Sequence, residues 1–469
     1  MSSSGYDPKL TPHVALLPSA GMGHLTPFIR LAVLLTTSNV RVTFITPYPT
    51  VSLSESQSLS HLFSTFPRIT RKQLHLLPLE DPSAKSEDPF YYHFEVIRHS
   101  SHLLSPLLSS LSPPLSALIT DMSLASTVIP ITDALQLPNY IFFTSSAKML
   151  TLFLSFHIMV DPRDRCETSE MKDFIKIAGL EPIPRSWIPP PLLQDTKNLL
   201  KSYFIENGKK MTESSGILVN TNETVDGESL EALSKGKVLR GLPPVHAIGP
   251  LPPFNLEQSQ PLAWLDDQPP GSVLYVSFGS RTAISREQIR ELGDGLVRSG
   301  KRFLWVVKDK KVDKEDSLEL MDMMGQQLME RMKEKGFVVK NWLNQEEVLS
   351  HAAVGGFLSH SGWNSITEAL WHGVPMLLWP QHGDQKINAE LVERIGVGMW
   401  VKSWGWCGEA MVVKGEEIAE TVGELLGNQF MRSRAAKVRN EVRMAVDEGG
   451  SSYKRLADLI ESWKGLVVV

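Results

Sequence analysis

Short apolar runs alternate with longer segments of helical periodicity along most of this chain. Stretches such as 27–35 and 103–111 place apolar residues on one helical face. Apolar runs separated by helices are typical of a mostly parallel sheet covered on both faces. In the first half, the runs with the length of buried strands are 14–17, 42–45, 74–77, 117–120, 140–143 and 217–219.

The pattern restarts after a proline-rich stretch in the middle of the chain. Prolines at 250, 252 and 253 oppose both helix and central strand. Beyond them, Ser285 and Gln288 fit a capping box at the start of a helix, and the mixed-charge run 308–316 fits a solvated loop. The strands predicted there are 273–278, 303–307, 336–339, 354–358 and 375–379.

We therefore predict two doubly wound α/β domains. The N-terminal domain covers 1–244, a linker covers 245–262, and the C-terminal domain covers 263–469. For the last helix, about 453–465, packing against the N-terminal domain is an alternative to packing within the C-terminal domain. In such folds ligands bind outside the carboxyl ends of the strands, so we expect the ligand-binding residues in the turns that follow strands.

Composition and charge narrow the class of protein. The chain has 469 residues, more than one core usually holds, with 42% hydrophobic and 21% charged residues. A net charge of -5 provides no basic excess for nucleic acid or a membrane surface. No apolar run approaches the ~18 residues of a membrane span, and the polar N-terminus lacks the features of a secretory leader. With only Cys166 and Cys407 present, we expect a reducing compartment, the cytoplasm. We also expect a monomer.

Residues 342–385 hold the densest set of polar groups suited to a ligand. The stretch reads WLNQEEVLSHAAVGGFLSHSGWNSITEALWHGVPMLLWPQHGDQ. Gly362 permits a tight turn, and the N–H groups of the helix that follows attract anions. His360, Asn364 and Ser365 add side-chain donors. On the residues alone, a plain capping box between Ser365 and Glu368 is the commoner explanation.

Over its full length this stretch resembles the donor box of plant family-1 UDP-sugar glycosyltransferases, which have the GT-B fold. The resemblance implies two Rossmann-like domains facing a cleft, with UDP-glucose bound by the C-terminal one. A carboxylate accepts two hydroxyl donors and an indole stacks on a flat base, which agrees with that use. Departures from the family pattern occur at Asn344 and Ser361, which have no assigned contact.

The resemblance also implies a role for each matched position. Trp342 would stack on the uracil, and Gln345 and Glu368 would bind the ribose. His360, Asn364 and Ser365 would hold the pyrophosphate, and Trp363, Asp384 and Gln385 would contact the sugar. A glutamine at the last place is associated with glucose in this family. The donor-binding set is completed by Gly23, Ser280, Arg281, Leu343 and Gly362.

The loop after the strand 273–278 looks like the family's phosphate-facing loop. There Ser280 would reach the β-phosphate and Arg281 would help to neutralise it. Enzymes of the GT-B class do not need a cation at the diphosphate, because a helix dipole and neutral donors stabilise the leaving UDP. We therefore expect no metal, and no cofactor apart from the donor substrate. The acidic pair Asp266-Asp267 fits solvated surface better than a metal site.

A strand-to-helix turn at 18–24 carries His24. A lone histidine is more often structural, but this one matches the place of the family's catalytic base. A helix N-terminus disfavours the imidazolium, so His24 should be neutral near pH 7. Asp121 ends the run 117–120 and could be a mere turn residue. The resemblance implies that it orients His24 and stabilises the charge formed by proton transfer.

The acceptor side is less specific. The stretch 88–95, DPFYYHFE, fits a turn and a half-buried helix start. It is nevertheless similar to the Asp-Pro-Phe stretch of plant flavonoid C-glycosyltransferases, as are 360–362 and 381–385. The resemblance implies inverting transfer of glucose to a phloroglucinol-type ring carbon of a 2-hydroxyflavanone or dihydrochalcone such as phloretin. Transfer to a phenolic oxygen is the alternative. The candidate acceptor contacts, each equally explicable as packing, are Phe90, Phe94, Phe143, Thr144, Ser145 and Trp187.

Other classes of function have less support. A nucleotide-sugar sensor would keep the donor box without catalysis, but His24 and Asp121 together oppose it. A serine hydrolase lacks its G-x-S-x-G elbow here. The charge balance opposes nucleic-acid binding. The partners expected are therefore a UDP-sugar and a small phenolic acceptor.

Overall fold

The computed structural model describes residues 11–79, 89–160, 173–194, 198–254, 263–308, 319–340, 343–406 and 411–464. The chain divides into two compact units. Unit 1 comprises Met1–Phe254 together with Ala445–Val469, and unit 2 comprises Asn255–Met444. Among the described helices, none is both long and apolar enough to cross a membrane.

The strands and helices of unit 1 alternate as the sequence predicts. Its strands are β1 (His13–Leu17), β2 (Arg41–Tyr48), β3 (Thr70–His75), β4 (Ala117–Asp121), β5 (Asn139–Phe143), β6 (Phe174–Ile175), β7 (Ile183–Pro184), β8 (Gly216–Val219) and β9 (Val245–Ala247). Its helices are α1 (Met22–Thr37), α2 (Leu53–Thr65), α3 (Pro89–His99), α4 (Leu104–Ser109), α5 (Ala125–Ala134), α6 (Ala147–Met159), α7 (Pro190–Leu193), α8 (Leu199–Lys210), α9 (Glu223–Ser234) and, near the end of the chain, α19 (Ser451–Lys464).

Unit 2 repeats the alternation. Its strands are β10 (Val273–Ser277), β11 (Arg302–Val306), β12 (Gly336–Val339), β13 (Val354–Ser359), β14 (Met376–Leu378) and β15 (Gly398–Trp400). Its helices are α10 (Ala263–Asp266), α11 (Arg286–Arg298), α12 (Leu320–Met324), α13 (Gln326–Met332), α14 (Gln345–Ser350), α15 (Trp363–His372), α16 (Gln385–Arg394), α17 (Gly415–Gly427) and α18 (Gln429–Val446), the last of which crosses the unit boundary.

Each unit is built on one parallel sheet. The strand order is β3-β2-β1-β4-β5-β8-β9 in unit 1 and β12-β11-β10-β13-β14-β15 in unit 2. All pairings within these two sheets are parallel. The order reverses between β1 and β4 and between β10 and β13. Ligands of doubly wound sheets bind at such reversals, outside the carboxyl ends of the strands.

Both faces of the first sheet are buried, which explains its continuous apolar strands. Along β1, Val14 and Leu16 belong to one apolar cluster, whereas Ala15 and Leu17 belong to another. Neighbouring strand residues point to opposite faces, so each face has its own core. A further cluster fills unit 2 around Trp305 and Leu358. The predicted doubly wound α/β organisation is confirmed for both units.

Three predicted boundaries need correction. The predicted strand 74–77 begins earlier, at Thr70, because β3 lies at the sheet edge and its first three residues are exposed and polar. The linker predicted over 245–262 starts too early, since Val245–Ala247 pairs with β8 as the seventh strand. Residues 255–262 lie outside the described part of the chain. The C-terminal residues from Ala445 onward belong to unit 1 rather than to unit 2.

Helix α19 has the sequence features needed to join unit 1. Its buried residues Leu456, Leu459, Ile460 and Trp463 follow helical spacing and belong to the core cluster around β1. The Trp463 ring lies edge-on to Tyr140, with the ring centroids 5.6 Å apart. The helix therefore completes the apolar cover of the first sheet.

Candidate active site

His24 projects from a turn whose backbone requires glycine. After β1, Gly21 is the N-cap of α1 with a φ of 98°, which side-chain-bearing residues rarely adopt. Its carbonyl accepts hydrogen bonds from the backbone N–H groups of His24 and Leu25, both at 2.9 Å. His24 thus lies in the first helical turn, with its side chain 24% exposed.

The His24 ring is held by groups from two neighbouring strands. Its Nδ1 lies 2.8 Å from Oδ2 of Asp121, the last residue of β4. The hydroxyl oxygen of Thr144, just after β5, lies 3.2 Å from the same nitrogen. An ionised carboxylate only accepts hydrogen bonds, so Nδ1 carries the proton and Nε2 keeps its lone pair. The ring is therefore arranged as a base.

Asp121 is oriented on its other side by Ser123. Its Oδ1 accepts hydrogen bonds from the Ser123 N–H at 2.9 Å and from the Ser123 hydroxyl at 2.6 Å. Burial raises the pKa of Asp121, but His24 and the two Ser123 bonds outweigh it and leave the pKa below its ordinary value. Asp121 is consequently a carboxylate at neutral pH, with each oxygen committed to one partner.

The predicted acceptor contacts divide into several groups. Thr144 contacts the base itself, and the Phe94 ring lies edge-on to His24 with centroids 6.5 Å apart. Ser145, the residue after Thr144, is buried. Trp187 ends a short 3-10 helix and is half-buried. The side chain of Phe90 lies outside the described residues.

Phe143 needs a correction. It has no exposed surface, and its ring packs edge-on against Phe153 of α6 with centroids 5.5 Å apart. A side chain with no exposed surface packs in the sheet–helix core, so the structure gives Phe143 a packing role and not the predicted place on a pocket wall.

Gly23 is exposed in the first turn of α1, and a methyl group added to it would meet nothing within 4 Å. This open space beside His24 is consistent with its predicted place next to a ligand.

In unit 2 the His360 ring lies between two glycines at the sheet reversal. A Cβ on Gly279 would come within 2.7 Å of ring atoms, and one on Gly362 would clash with Nε2. Only glycine therefore fits at either position. The ring keeps some exposed surface, but its Nδ1 is buried and has no hydrogen-bond partner among the described residues. Burial and then the nearby His382 lower the pKa of His360 to about 3, so the ring is neutral at pH 7.

The start of α15 does not form the capping box that Ser365 and Glu368 could have made. Gly362 is the N-cap and provides no side chain, and Ser361 before it has a φ of 67°. The Gln345 amide donates instead to the Ser365 hydroxyl at 2.9 Å and to Glu368 Oε2 at 2.5 Å. Three residues predicted to bind the donor are thus in contact, beside a helix N-terminus that favours anions.

Two further donor-box residues, Asp384 and Gln385, lie where the loop after β14 meets the start of α16. Gln385 is buried, and its Oε1 accepts hydrogen bonds from the N–H groups of Gln381 at 2.7 Å and His382 at 2.9 Å. Asp384 Oδ2 accepts from Asn388 at 2.8 Å. The side-chain carbonyl of Gln385 therefore stabilises the turn 381–385.

The other predicted donor contacts differ in how far they are exposed. Trp363 is buried, whereas Asn364 and Arg281 are partly exposed. The Ser280 carbonyl accepts a long bond of 3.5 Å from Lys308. Leu343 is half-buried, and Trp342 lies outside the described residues.

Sequence reasoning missed the residues that support the site. Ser123 had a local signal, because a serine two residues after an aspartate often closes a side-chain turn. His382 lies in the stretch 381–385 that resembles a known motif, but the sequence did not show its partner: its Nε2 pairs with the Thr282 hydroxyl, 3.1 Å away and 100 positions distant in sequence.

Comparison with known proteins places this geometry in a family. Residues 254–414 match the family model described as UDP-glucoronosyl and UDP-glucosyl transferase. UDP-glycosyltransferase 708G2 of Citrus unshiu is 53% identical over 98% of both chains. UDP-glycosyltransferase CGT of Oryza sativa subsp. japonica is 44% identical over 99% of both chains.

Solved structures agree in fold. The crystal structure of LpCGTa in complex with UDP has a TM-score of 0.85 at 45% identity, over 97% of this chain and 99% of that one. TcCGT1 in complex with UDP has a TM-score of 0.87 at 29% identity, with the same coverage. The expected GT-B class of fold is confirmed. With its relatives aligned from end to end, this chain belongs to the plant family-1 UDP-glycosyltransferases.

Proposed function

We propose that this enzyme transfers glucose from UDP-glucose to a ring carbon of a phloroglucinol-type phenol, giving a β-C-glucoside. The acceptor class is a 2-hydroxyflavanone or a dihydrochalcone such as phloretin. The observation that carries the proposal is the His24 ring, whose Nδ1 is committed to Asp121 and whose Nε2 is left as a base.

The reaction is a single displacement. His24 Nε2 takes the proton of an acceptor hydroxyl, and the charge spreads onto the ring carbons beside the oxygen. One such carbon attacks the anomeric carbon of the sugar, the bond to UDP breaks, and the configuration inverts. The ring carbon that attacked then loses its hydrogen to solvent as a proton, the ring regains aromaticity as a phenolate, and the phenolate oxygen takes its proton back from His24. Asp121 stabilises the imidazolium formed in the first step.

Donor binding falls to unit 2. The Glu368 carboxylate and the Gln345 amide, already in contact, suit the two ribose hydroxyls. The N-terminus of α15 faces the developing charge of UDP with its positive end, and the neutral His360 acts there as a polar group rather than as a cation. No metal is assigned a role.

Transfer to carbon, rather than to oxygen, is supported by relatives. A rice relative and two similar solved structures carry CGT, the abbreviation of C-glycosyltransferase, in their names. The chemistry requires only that the acceptor present a carbon instead of an oxygen to the sugar. The same catalytic pair serves both outcomes, so the product must decide.

The test is incubation with UDP-glucose and phloretin, followed by hot acid and NMR of the product. A C-glucoside survives the acid, and its anomeric proton correlates with a ring carbon. Glucose release would instead identify an O-glucosyltransferase and overturn the assignment. His24→Ala should abolish transfer and keep UDP binding, whereas His102→Ala, at an exposed histidine of unit 1, should keep both transfer and UDP binding.

A further inference from the structure

Glu55 is a buried carboxylate that the proposed reaction does not use. It lies in the first turn of α2 with 4% of its surface exposed. One of its oxygens, Oε1, accepts a hydrogen bond from the backbone N–H of Gly21. The other, Oε2, accepts from the backbone N–H of Val51 at 2.9 Å. A single side chain thus joins the loop after β2 to the turn that carries His24.

Burying a carboxylate is costly unless hydrogen bonds replace its water. Here one of the bonds goes to a turn that requires glycine, because Gly21 has a φ of 98°, and Gly21 is itself buried. Without Glu55, the Gly21 N–H would be left unpaired inside the protein. The turn would then shift to find another partner, and the first turn of α1 would move with it.

We propose that Glu55 is a positioning residue for the catalytic base: by holding Gly21, it keeps His24 in register with Asp121. This inference rests on the proposed function, since it takes His24 as the base. Glu55 acts differently from the catalytic pair, because it holds the backbone N–H groups of Gly21 and Val51. It acts through the backbone, across 34 positions of sequence.

Two substitutions grade the effect. Glu55→Gln keeps the shape and one acceptor oxygen but turns an amide NH₂ toward a backbone donor, so we expect kcat to fall about 10-fold. Glu55→Ala removes both acceptors, and we expect a fall of about 100-fold, the usual size for a displacement near 1 Å. The dissociation constant of UDP should change by less than kcat, because every predicted donor contact except Gly23 belongs to unit 2.

A matched control exists in unit 2. Glu291 Oε2 likewise accepts a hydrogen bond from a glycine N–H across the chain, that of Gly415 at 2.7 Å. Glu291→Gln removes the same kind of bond away from His24 and should leave kcat unchanged. A role of Glu55 in stability alone predicts that folded Glu55→Gln protein, checked by its thermal melt, also keeps its full kcat.

A second measurement does not depend on turnover. In protein labelled with ¹⁵N-histidine, the His24 ring signals are assigned by their loss in His24→Gln. They report whether Nδ1 carries the proton facing Asp121. We expect these signals to change in Glu55→Gln and Glu55→Ala, and not in Glu291→Gln.

The outcomes separate the two proposals. If the wild type transfers no sugar but Glu55 substitutions alter the His24 signals, the proposed function fails and the positioning role stands. If the wild type transfers glucose and both Glu55 variants keep its kcat and its His24 signals, the positioning role is refuted and the function stands.

Discussion

Replacing Asp121 by asparagine should damage catalysis more than the near-identity of the two side chains suggests. In the wild type, Oδ1 accepts two hydrogen bonds from Ser123, at 2.9 and 2.6 Å, and Oδ2 faces His24 Nδ1 at 2.8 Å. An asparagine has only one oxygen. The two Ser123 donors claim it, so the amide NH₂ must face His24.

An NH₂ group facing Nδ1 selects the wrong histidine tautomer. Nδ1 then has to accept, Nε2 carries the proton, and the ring can no longer take one from the acceptor. The Thr144 hydroxyl does not prevent this, because it can donate to Nδ1 as well as accept from it. Ser123 therefore converts a conservative substitution into the loss of a base.

The magnitude follows from what the useful orientation would cost. Turning the asparagine oxygen toward His24 breaks two hydrogen bonds to Ser123, each worth about 1 kcal/mol, and places NH₂ against two donors. A total of about 3 kcal/mol leaves the productive form at roughly 1% of molecules. We expect kcat to fall by about 100-fold or more; in a serine protease triad the same change costs about 10⁴.

The assay is initial-rate transfer to phloretin, with product separated by chromatography, alongside UDP titration to show that the donor site is intact. Adding Ser123→Ala to Asp121→Asn removes one of the two donors that fix the amide, so the double variant should recover part of the lost kcat. If Asp121→Asn keeps more than half of the wild-type kcat, the tautomer argument is wrong.

Three further predictions concern neighbouring features. Ser123→Ala alone removes a hydrogen bond to the Asp121 carboxylate and should lower the free energy of unfolding by about 1.5–3 kcal/mol at pH 7. The pKa of Asp121 in the folded protein is below its ordinary 3.8, so the carboxylate stabilises the fold above pH 3.8 and loses this effect as the pH falls through the folded pKa. Ser123→Ala should raise the folded pKa, so the melting temperature of the variant should begin to fall at a higher pH than that of the wild type. Superimposable pH profiles of the two melting temperatures would contradict this. Glu368→Ala should weaken UDP binding about 10- to 100-fold in a calorimetric titration, whereas Glu347→Ala on α14 should not; equal dissociation constants would remove Glu368 from the ribose site. Exhaustive treatment with EDTA should leave kcat unchanged, and a loss restored by Mg²⁺ would refute the metal-free assignment.

The fold could be predicted largely because both faces of each sheet are buried. Every residue of strands β1 and β13 is buried, and nearly all of these residues are apolar or glycine, so the sequence signal does not depend on register. The prediction failed where that condition failed. Edge strand β3 is mostly polar, and β9 has only three residues among prolines and was assigned to a linker.

The site residues were predicted in two ways, by resemblance to a motif and by position after a strand. His24, Asp121, Gln345 and Glu368 were found because each lies in a stretch that resembles a known motif, and the structure brings each pair together. Thr144 was chosen for its place after a strand, and its contact with the base was not foreseen. Phe143, chosen in the same way, is core. Position after a strand thus selects the right loop but not the direction of a side chain.

Residues that hold the site together were invisible for a physical reason. Glu55 contacts Gly21 through the backbone, and a backbone N–H has no residue type that a sequence could reveal. Its register along α2 is set by Ser52, whose hydroxyl accepts from the Glu55 N–H at 3.2 Å, so that stretch fits an ordinary capped helix start. A glutamate in the first turn of a helix normally stabilises the N-terminus of that helix, but Glu55 also accepts a hydrogen bond from Gly21 in the turn after β1. Only the three-dimensional contacts distinguish a glutamate that stabilises its own helix from one that also holds the turn of Gly21. Because the positioning role of Glu55 was inferred from these contacts, it can be tested independently of the motif that identified His24.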